Sequence, residues 1–167
     1  MRESYSLPEY SSLLARFHQF HTAFDEFIVD RQAMNWAPAW FYADGRMKSG
    51  WLAEDLRMLE MSSLPFPVKV REKMTEMLQT PAHLWGAIYV IEGSMLGGVS
   101  IRKHFSQSLG LTRNNGLRYF SGYEQQTGAN WHAVLQTLDG LQTSMHTATV
   151  TAATQTFELL SQSLANH

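Results

Sequence analysis

The chain has 167 residues and no cysteine, with 13 basic and 15 acidic side chains and a net charge of −2. This length predicts one domain, residues 1–167, whose core is large enough to fold without cross-links. A sequence without cysteine excludes disulfides, thiolate-bound metals and a cysteine nucleophile, and it fits a cytoplasmic location. The nearly neutral charge argues against a protein that binds nucleic acid.

Only 17% of the residues are charged, whereas 12% are aromatic. A large apolar ligand, a subunit interface or a well-filled core would each explain this balance. The longest apolar stretch, residues 84–101, reaches the length of a membrane span. Glu92 lies at its centre, however, and a charge there is costly in lipid. We therefore predict a buried helix and no membrane span.

The first helix is predicted to begin at Ser6 or Leu7, where Ser6 and Glu9 have capping-box spacing and Pro8 stands in the first turn. Its apolar residues repeat at helical spacing and are Leu13, Leu14, Phe17, Phe20, Phe24, Phe27 and Ile28. His21 lies inside this stripe and His18 lies at its edge. Asp25 follows His21 by one turn and could accept its ring N–H.

Breaks at residues 37–39 and 43–45 precede the remaining helical patterns, and residues 62–67 form a further loop. Apolar spacing predicts helices around residues 51–59, 70–78, 81–105, 131–141 and 150–164. Thr80 followed by Pro81 is typical of a helix N-terminus. The threonine-rich run 143–154 is ambiguous because β-branched residues favour strands. We predict an all-α fold, a compact multi-helix bundle.

The strongest local signal is the run Glu92-Gly93-Ser94-Met95-Leu96-Gly97-Gly98. Each glycine inside a helix costs about 1 kcal/mol relative to alanine, so several together need a reason. One reason is the close approach of another helix, and the other is a flat ligand lying against the backbone. On the residues alone, helix packing is the favoured explanation.

His18 and His21 are the candidate metal ligands, although a histidine on an apolar stripe is more often a core residue. The other histidines form no cluster with ligand spacing, and the sequence contains neither an H-E-x-x-H motif nor a phosphate-binding loop after a strand. Ser94 lacks the strand-turn-helix context of a nucleophile elbow.

Residues 87–98, AIYVIEGSMLGG, closely resemble the distal helix of the bacterial biliverdin-producing heme oxygenases. Residues 45–56 are similar to the R-x-x-S-x-x-L-x-x-D-L segment of that family. Residues 123–139 resemble a downstream region of the family that runs from a tyrosine to a Leu-Asp pair. Residues 152–157 resemble the start of its last helix. The resemblance covers most of the chain.

This resemblance implies a helical bundle of the heme-oxygenase type in which heme is both substrate and cofactor. It implies cleavage of heme to biliverdin, CO and iron, with electrons from an external donor. Gly93, Ser94, Gly97 and Gly98 would then lie at the heme face and take part in catalysis, and the three glycines would also contact heme.

Family members bind the heme iron through a histidine on a first, proximal helix, and two alignments are possible. In one, residues 13–25 are that helix, with His21 as the iron ligand and Asp25 as its neighbour. In the other, residues 10–25 resemble the next helix of the family, so that the proximal helix and its histidine are missing. We prefer the second alignment, because the first requires deletion of a helix and loop between Asp25 and Gly45.

The second alignment leads to an alternative function, a catalytically silent protein that binds heme, another tetrapyrrole such as a bilin, or a protein partner. A bundle without its first helix would expose an apolar groove, which a second copy of the chain could cover. Residues 149–167 contain no Lys or Arg for a heme propionate. Arg102, Lys103 and Arg113 are the candidates for that role.

Overall fold

The computed structural model describes residues 5–42, 46–62, 64–65 and 67–165. The predicted break at residues 43–45 lies outside these ranges, as do Ser63 and Phe66 of the predicted loop. The described chain is all-α, as predicted, and forms no strand. Its helices are α1 Leu7–Arg31, α2 Ala39–Tyr42, α3 Ser49–Met58, α4 Val68–Met77, α5 Pro81–Ser94, α6 Gly98–Leu109, α7 Arg118–Ser121, α8 Thr127–Asp139 and α9 His146–Leu164.

Helix α1 begins with the predicted capping box. The Ser6 backbone N–H donates to Glu9 Oε2 at 2.8 Å, and Ser6 Oγ accepts from the Glu9 N–H at 3.4 Å. The helix then continues to Arg31, one turn beyond the predicted apolar stripe. Its buried side, which includes Phe20, Phe24 and Phe27, packs against α3, α4 and α9.

Helices α5 and α9 pack against each other along their lengths at the centre of the bundle. A Cβ atom added to Gly86 would lie 2.7 Å from the Ala153 backbone nitrogen and 2.9 Å from Ala152 Cβ. Gly86 is therefore a position where one helix passes directly against another, which is the packing role expected for the α5 glycines.

Apolar side chains form two cores, one at each half of α1 along its length. One fills the space between the C-terminal half of α1 and α4, α5 and α9, and the other lies between its N-terminal half and α3, α6 and α7. The predicted long helix over 81–105 is interrupted between these cores, because residues Met95–Gly97 form a 3₁₀ turn that separates α5 from α6.

The run Pro81–Leu109 is long and apolar enough to cross a membrane; its most apolar window of 18 residues has a mean hydropathy of 1.4, and half of that window is buried inside the bundle. Buried core helices also meet this criterion.

Helix α9 resolves the ambiguity of the threonine-rich run, because residues 146–164 are helical throughout. Its predicted stripe is only partly buried. Val150 and Phe157 are 65% and 63% exposed, whereas Ala152, Thr156 and Leu159 face the core. The helix therefore presents large apolar side chains to solvent next to α5.

Candidate functional site

The exposed side of α5 and the neighbouring part of α9 form an apolar groove of about 310 Å³. Tyr89, Leu96 and Phe157 project into it while between 45% and 63% exposed. Exposed apolar side chains gathered in one place mark a binding surface more often than isolated ones do. We call this surface the α5–α9 groove, and it is lined by Tyr89, Val90, Gly93, Ser94, Leu96, Trp131, Phe157 and Leu160.

The three glycines of the predicted site have different surroundings. A Cβ atom on Gly98 would lie 2.8 Å from the Phe120 carbonyl oxygen, and one on Gly93 would lie 3.2 Å from the Trp131 ring. A Cβ atom on Gly97 would meet nothing within 4 Å. Helix packing thus explains Gly98 and contributes at Gly93, whereas the exposed backbone at Gly97 is open to a ligand.

Glu92, next to Gly93, is 2% exposed and is held by two cations. Lys48 Nζ donates to Glu92 Oε1 at 2.5 Å, and Arg46 Nη1 donates to Glu92 Oε2 at 3.1 Å. The Tyr123 hydroxyl donates to Glu92 Oε1 at 2.9 Å, and Arg46 also donates to Asn130 Oδ1 at 3.1 Å. A carboxylate in an apolar interior requires such partners, which here tie α5 to the segment before α3 and to α8.

A model of the heme oxygenase family matches residues 1–166. The chain belongs to the heme oxygenase family. Among solved structures it is similar to the heme oxygenase from Leptospira interrogans, with 19% sequence identity and a TM-score of 0.77. That match covers 98% of this chain and 85% of the Leptospira chain. The fold is therefore of the heme-oxygenase type, as the sequence resemblance predicted. No curated protein matches the sequence.

His21, the predicted iron ligand of this heme oxygenase family member, lies inside the bundle and does not line the α5–α9 groove. It is 1% exposed, and its Nε2 shares a hydrogen bond of 2.9 Å with the Tyr119 hydroxyl. Burial lowers the pKa of His21 well below its usual value, and the charge of Lys48 acts in the same direction. In this structure Tyr119 occupies the Nε2 atom of His21, and iron binding by His21 stays a prediction.

The predicted hydrogen bond from the His21 ring to Asp25 is not formed. The Asp25 carboxylate accepts instead from the Ser49 backbone N–H at 2.8 Å, at the start of α3. Asp55 has a similar role, because it accepts from the backbone N–H groups of Arg118 and Tyr119 at 2.7 and 2.8 Å. The Asp25 carboxylate thus binds the N-terminus of α3, and the Asp55 carboxylate binds the N-terminus of α7.

Tyr119 links His21 to the predicted site residues. Burial raises the pKa of Tyr119, while a hydrogen bond with the Ser94 side chain opposes that effect. Ser94, Gly98 and Tyr119 also line a small apolar cavity of about 110 Å³ behind the glycine segment. Tyr119 thus connects His21 to this cavity, and Ser94 lines both the cavity and the α5–α9 groove.

The α5–α9 groove offers an apolar wall that fits the face of a flat macrocycle, and the open backbone of Gly97 follows its lining residue Leu96 in the chain. Its lining contains no histidine and no cation, so no lining residue supplies an axial nitrogen for iron or a partner for a propionate. His18 lies on α1, where burial lowers its pKa. Within the described residues, no three His, Cys, Asp or Glu side chains are grouped for metal binding.

Proposed function

We propose that this heme oxygenase family member binds heme as its substrate in the α5–α9 groove. The observation that carries the proposal is an exposed apolar groove lined by Gly93 and Leu96, next to the open backbone of Gly97, within the sequence run most typical of the family. Ligand sites are mostly apolar and occupy about 300–1,000 Å³. The groove is at the lower end of that range, so part of the ligand would remain exposed.

The groove residues would orient the macrocycle and exclude water from one of its faces. Tyr89, Leu96 and Phe157 supply apolar contact area, and Gly97 allows the ring to approach the backbone. The Trp131 ring lies next to Gly93 and lines the groove with it. With no cation in the lining, the propionates would extend towards solvent at the open side of the groove.

We further propose that the protein cleaves heme to biliverdin, CO and iron only when an axial base reaches the iron. In that reaction heme would supply the iron and the carbon that is oxidised, O₂ would be the oxidant, and an external donor would supply the electrons. The identity of the axial ligand controls how heme iron reacts with O₂. Since no histidine lines the groove, the described residues would leave that position to a base from elsewhere.

The same observation supports a second candidate function, in which the protein binds heme or a bilin without turnover. The two candidates share the groove and differ only in the axial base. Adding an external base, such as imidazole, therefore distinguishes the two candidate functions.

The experiment titrates hemin into the purified protein, records the Soret band, and adds ascorbate with and without imidazole. A saturable band that decays to a biliverdin spectrum only with imidazole supports the heme oxygenase. A stable band under both conditions supports the silent binder, and the absence of a saturable band would refute both.

His21→Gln and Phe157→Ser are matched variants for this titration. The glutamine keeps a hydrogen-bonding group next to Tyr119, so the Soret band should not change if His21 is not the ligand. A shift of the Soret band in His21→Gln alone would identify His21 as the iron ligand. Weaker binding by Phe157→Ser alone would locate heme in the groove.

A further inference from the structure

A second concave surface lies between α6 and the loop that leads to α7, and it shares no lining residue with the α5–α9 groove. Its volume is about 540 Å³, within the range of small-molecule sites. Three of its lining side chains are cations, Arg102, Lys103 and Arg113. These residues were the sequence candidates for heme propionates, but the structure places them around this separate pocket, which we call the α6 pocket.

The positive charge of the α6 pocket is only partly neutralised. Arg102 and Lys103 have no ion-pair or hydrogen-bond partner within the part of the chain that the structure describes. Arg113 pairs with Glu124 at 2.8 Å, with both side chains about half exposed, and no acidic residue lines the pocket. A chain with a net charge of −2 thus carries a local excess of cations here.

A fourth cation next to the pocket strengthens this field. The Arg118 guanidinium lies 4.2 Å from the centre of the Trp51 ring and donates to the Gly122 carbonyl at 2.9 Å. Burial lowers its pKa and the charge of Arg113 acts in the same direction, whereas the charges of Glu54, Glu124 and Asp55 oppose that shift. Arg118 therefore adds a cation beside the pocket that these acidic groups partly balance.

The rest of the lining suits a small molecule that is not purely ionic. Ser106, Gln107 and Thr112 provide hydrogen-bonding groups, and the buried residues Leu111 and Leu117 provide an apolar base. Arginine forks match the paired oxygens of phosphates and carboxylates. Several cations in one pocket favour a ligand with two or more negative charges over a single carboxylate.

We infer that the α6 pocket binds a small polyanion, with two or more phosphate or carboxylate charges, at a site separate from the proposed heme groove. The inference rests on the Arg102, Lys103 and Arg113 cluster around an otherwise acid-free cavity. It does not depend on heme binding, so either proposal can fail without the other.

Isothermal titration at low salt, without hemin, tests the inference with pyrophosphate and with citrate as probes. We expect one saturable site for at least one probe and weaker binding as NaCl is added. Arg102→Gln/Lys103→Gln should weaken binding at least tenfold. The control Lys69→Gln/Lys73→Gln removes the same charge from exposed positions on α4 and should change the Kd less than twofold.

Binding of pyrophosphate alone would assign a phosphorylated ligand, and binding of citrate alone would assign a polycarboxylate. Ser106→Glu is a second pocket variant, because it places a carboxylate among the cations while retaining both basic side chains. It should abolish binding with little change in the unfolding temperature. The inference is overturned if neither probe saturates one site, or if both double variants weaken binding equally.

Discussion

The two sides of α5 differ sharply within one helical turn. Towards the bundle, Glu92 is buried and both of its carboxylate oxygens are engaged by Lys48, Arg46 and Tyr123. Towards solvent, Tyr89 and Leu96 are about half exposed and Gly97 has an open backbone. One side therefore has its interactions satisfied inside the chain, whereas the other is free for a ligand.

This difference shows that a single sequence motif can combine two kinds of constraint. The run from Glu92 to Gly98 contains an acid that fixes α5, a glycine that packs against Phe120, and a glycine, Gly93, that lines the groove. Its resemblance to the family therefore reports on the fold at some positions and on the ligand at others. Substitutions can separate these contributions.

Removing one member of the buried ion network should have the largest effect. Lys48→Met leaves Glu92 buried with Arg46 as its remaining cation, and breaking a buried pair in this way costs about 3–5 kcal/mol. The free energy of unfolding from a urea titration measures the loss. Arg113→Gln, at the half-exposed pair with Glu124, is the control and should cost less than about 1 kcal/mol.

The double variant Lys48→Met/Glu92→Leu should recover part of this loss, since it also removes the buried carboxylate that has lost one of its two cations. If Lys48→Met lowers the free energy of unfolding no more than Arg113→Gln does, the ion network around Glu92 does not stabilise the buried side of α5.

Alanine at two glycines should separate packing from ligand access. Gly86→Ala forces a Cβ atom against the α9 backbone and should destabilise the fold by about 1–3 kcal/mol. Gly97→Ala meets open space and should stabilise the fold by up to about 1 kcal/mol. Hemin affinity should fall in Gly97→Ala despite that gain, because the methyl group stands in the path of the ring. Equal stability changes in the two variants, measured by urea unfolding, would contradict this assignment.

The groove side should depend on Phe157 for binding and not for stability. Phe157→Ser removes an exposed apolar ring, so the free energy of unfolding should change by less than about 0.5 kcal/mol. Its loss from a ligand contact should weaken hemin about tenfold, which corresponds to about 1.4 kcal/mol of apolar burial. Val68→Ser, at an exposed apolar position on α4, should leave both quantities unchanged. A loss of stability without a loss of hemin affinity would assign Phe157 to the core.

Local patterns predicted the helices well, because a capping box or an apolar repeat depends on neighbours in the sequence. Ser6 and Glu9 fixed the start of α1, and the spacing from Val150 to Leu164 identified α9. The same spacing did not show that Phe157 is exposed, since periodicity defines a stripe but not whether another helix covers it. It also left open the roles of the individual glycines, which depend on Phe120, Trp131 and Ala153.

The hydrogen-bond partners of Glu92 could not be predicted from the sequence either. Lys48 and Tyr123 are 44 and 31 residues away, and Lys48 lies in a segment that is typical of an exposed loop. A signal was nevertheless present, because a carboxylate at the centre of an apolar stretch must be paired once it is buried. The hydrogen-bond partner of His21 could not be predicted for the same reason, since only the tertiary fold brings Tyr119 to its ring.

The titration of His21 tests whether this residue belongs to the buried side of the comparison. Burial holds its folded-state pKa well below 6.5, whereas in the unfolded chain the ring takes up a proton near pH 6.5. Below that pH the unfolded state binds more protons, so stability should fall as pH decreases from 7 to 5. His21→Gln removes this contribution and should lose less stability over the same range. An equal pH dependence in the two proteins, measured by urea unfolding at each pH, would show that the His21 ring is accessible to solvent and free to act as a ligand.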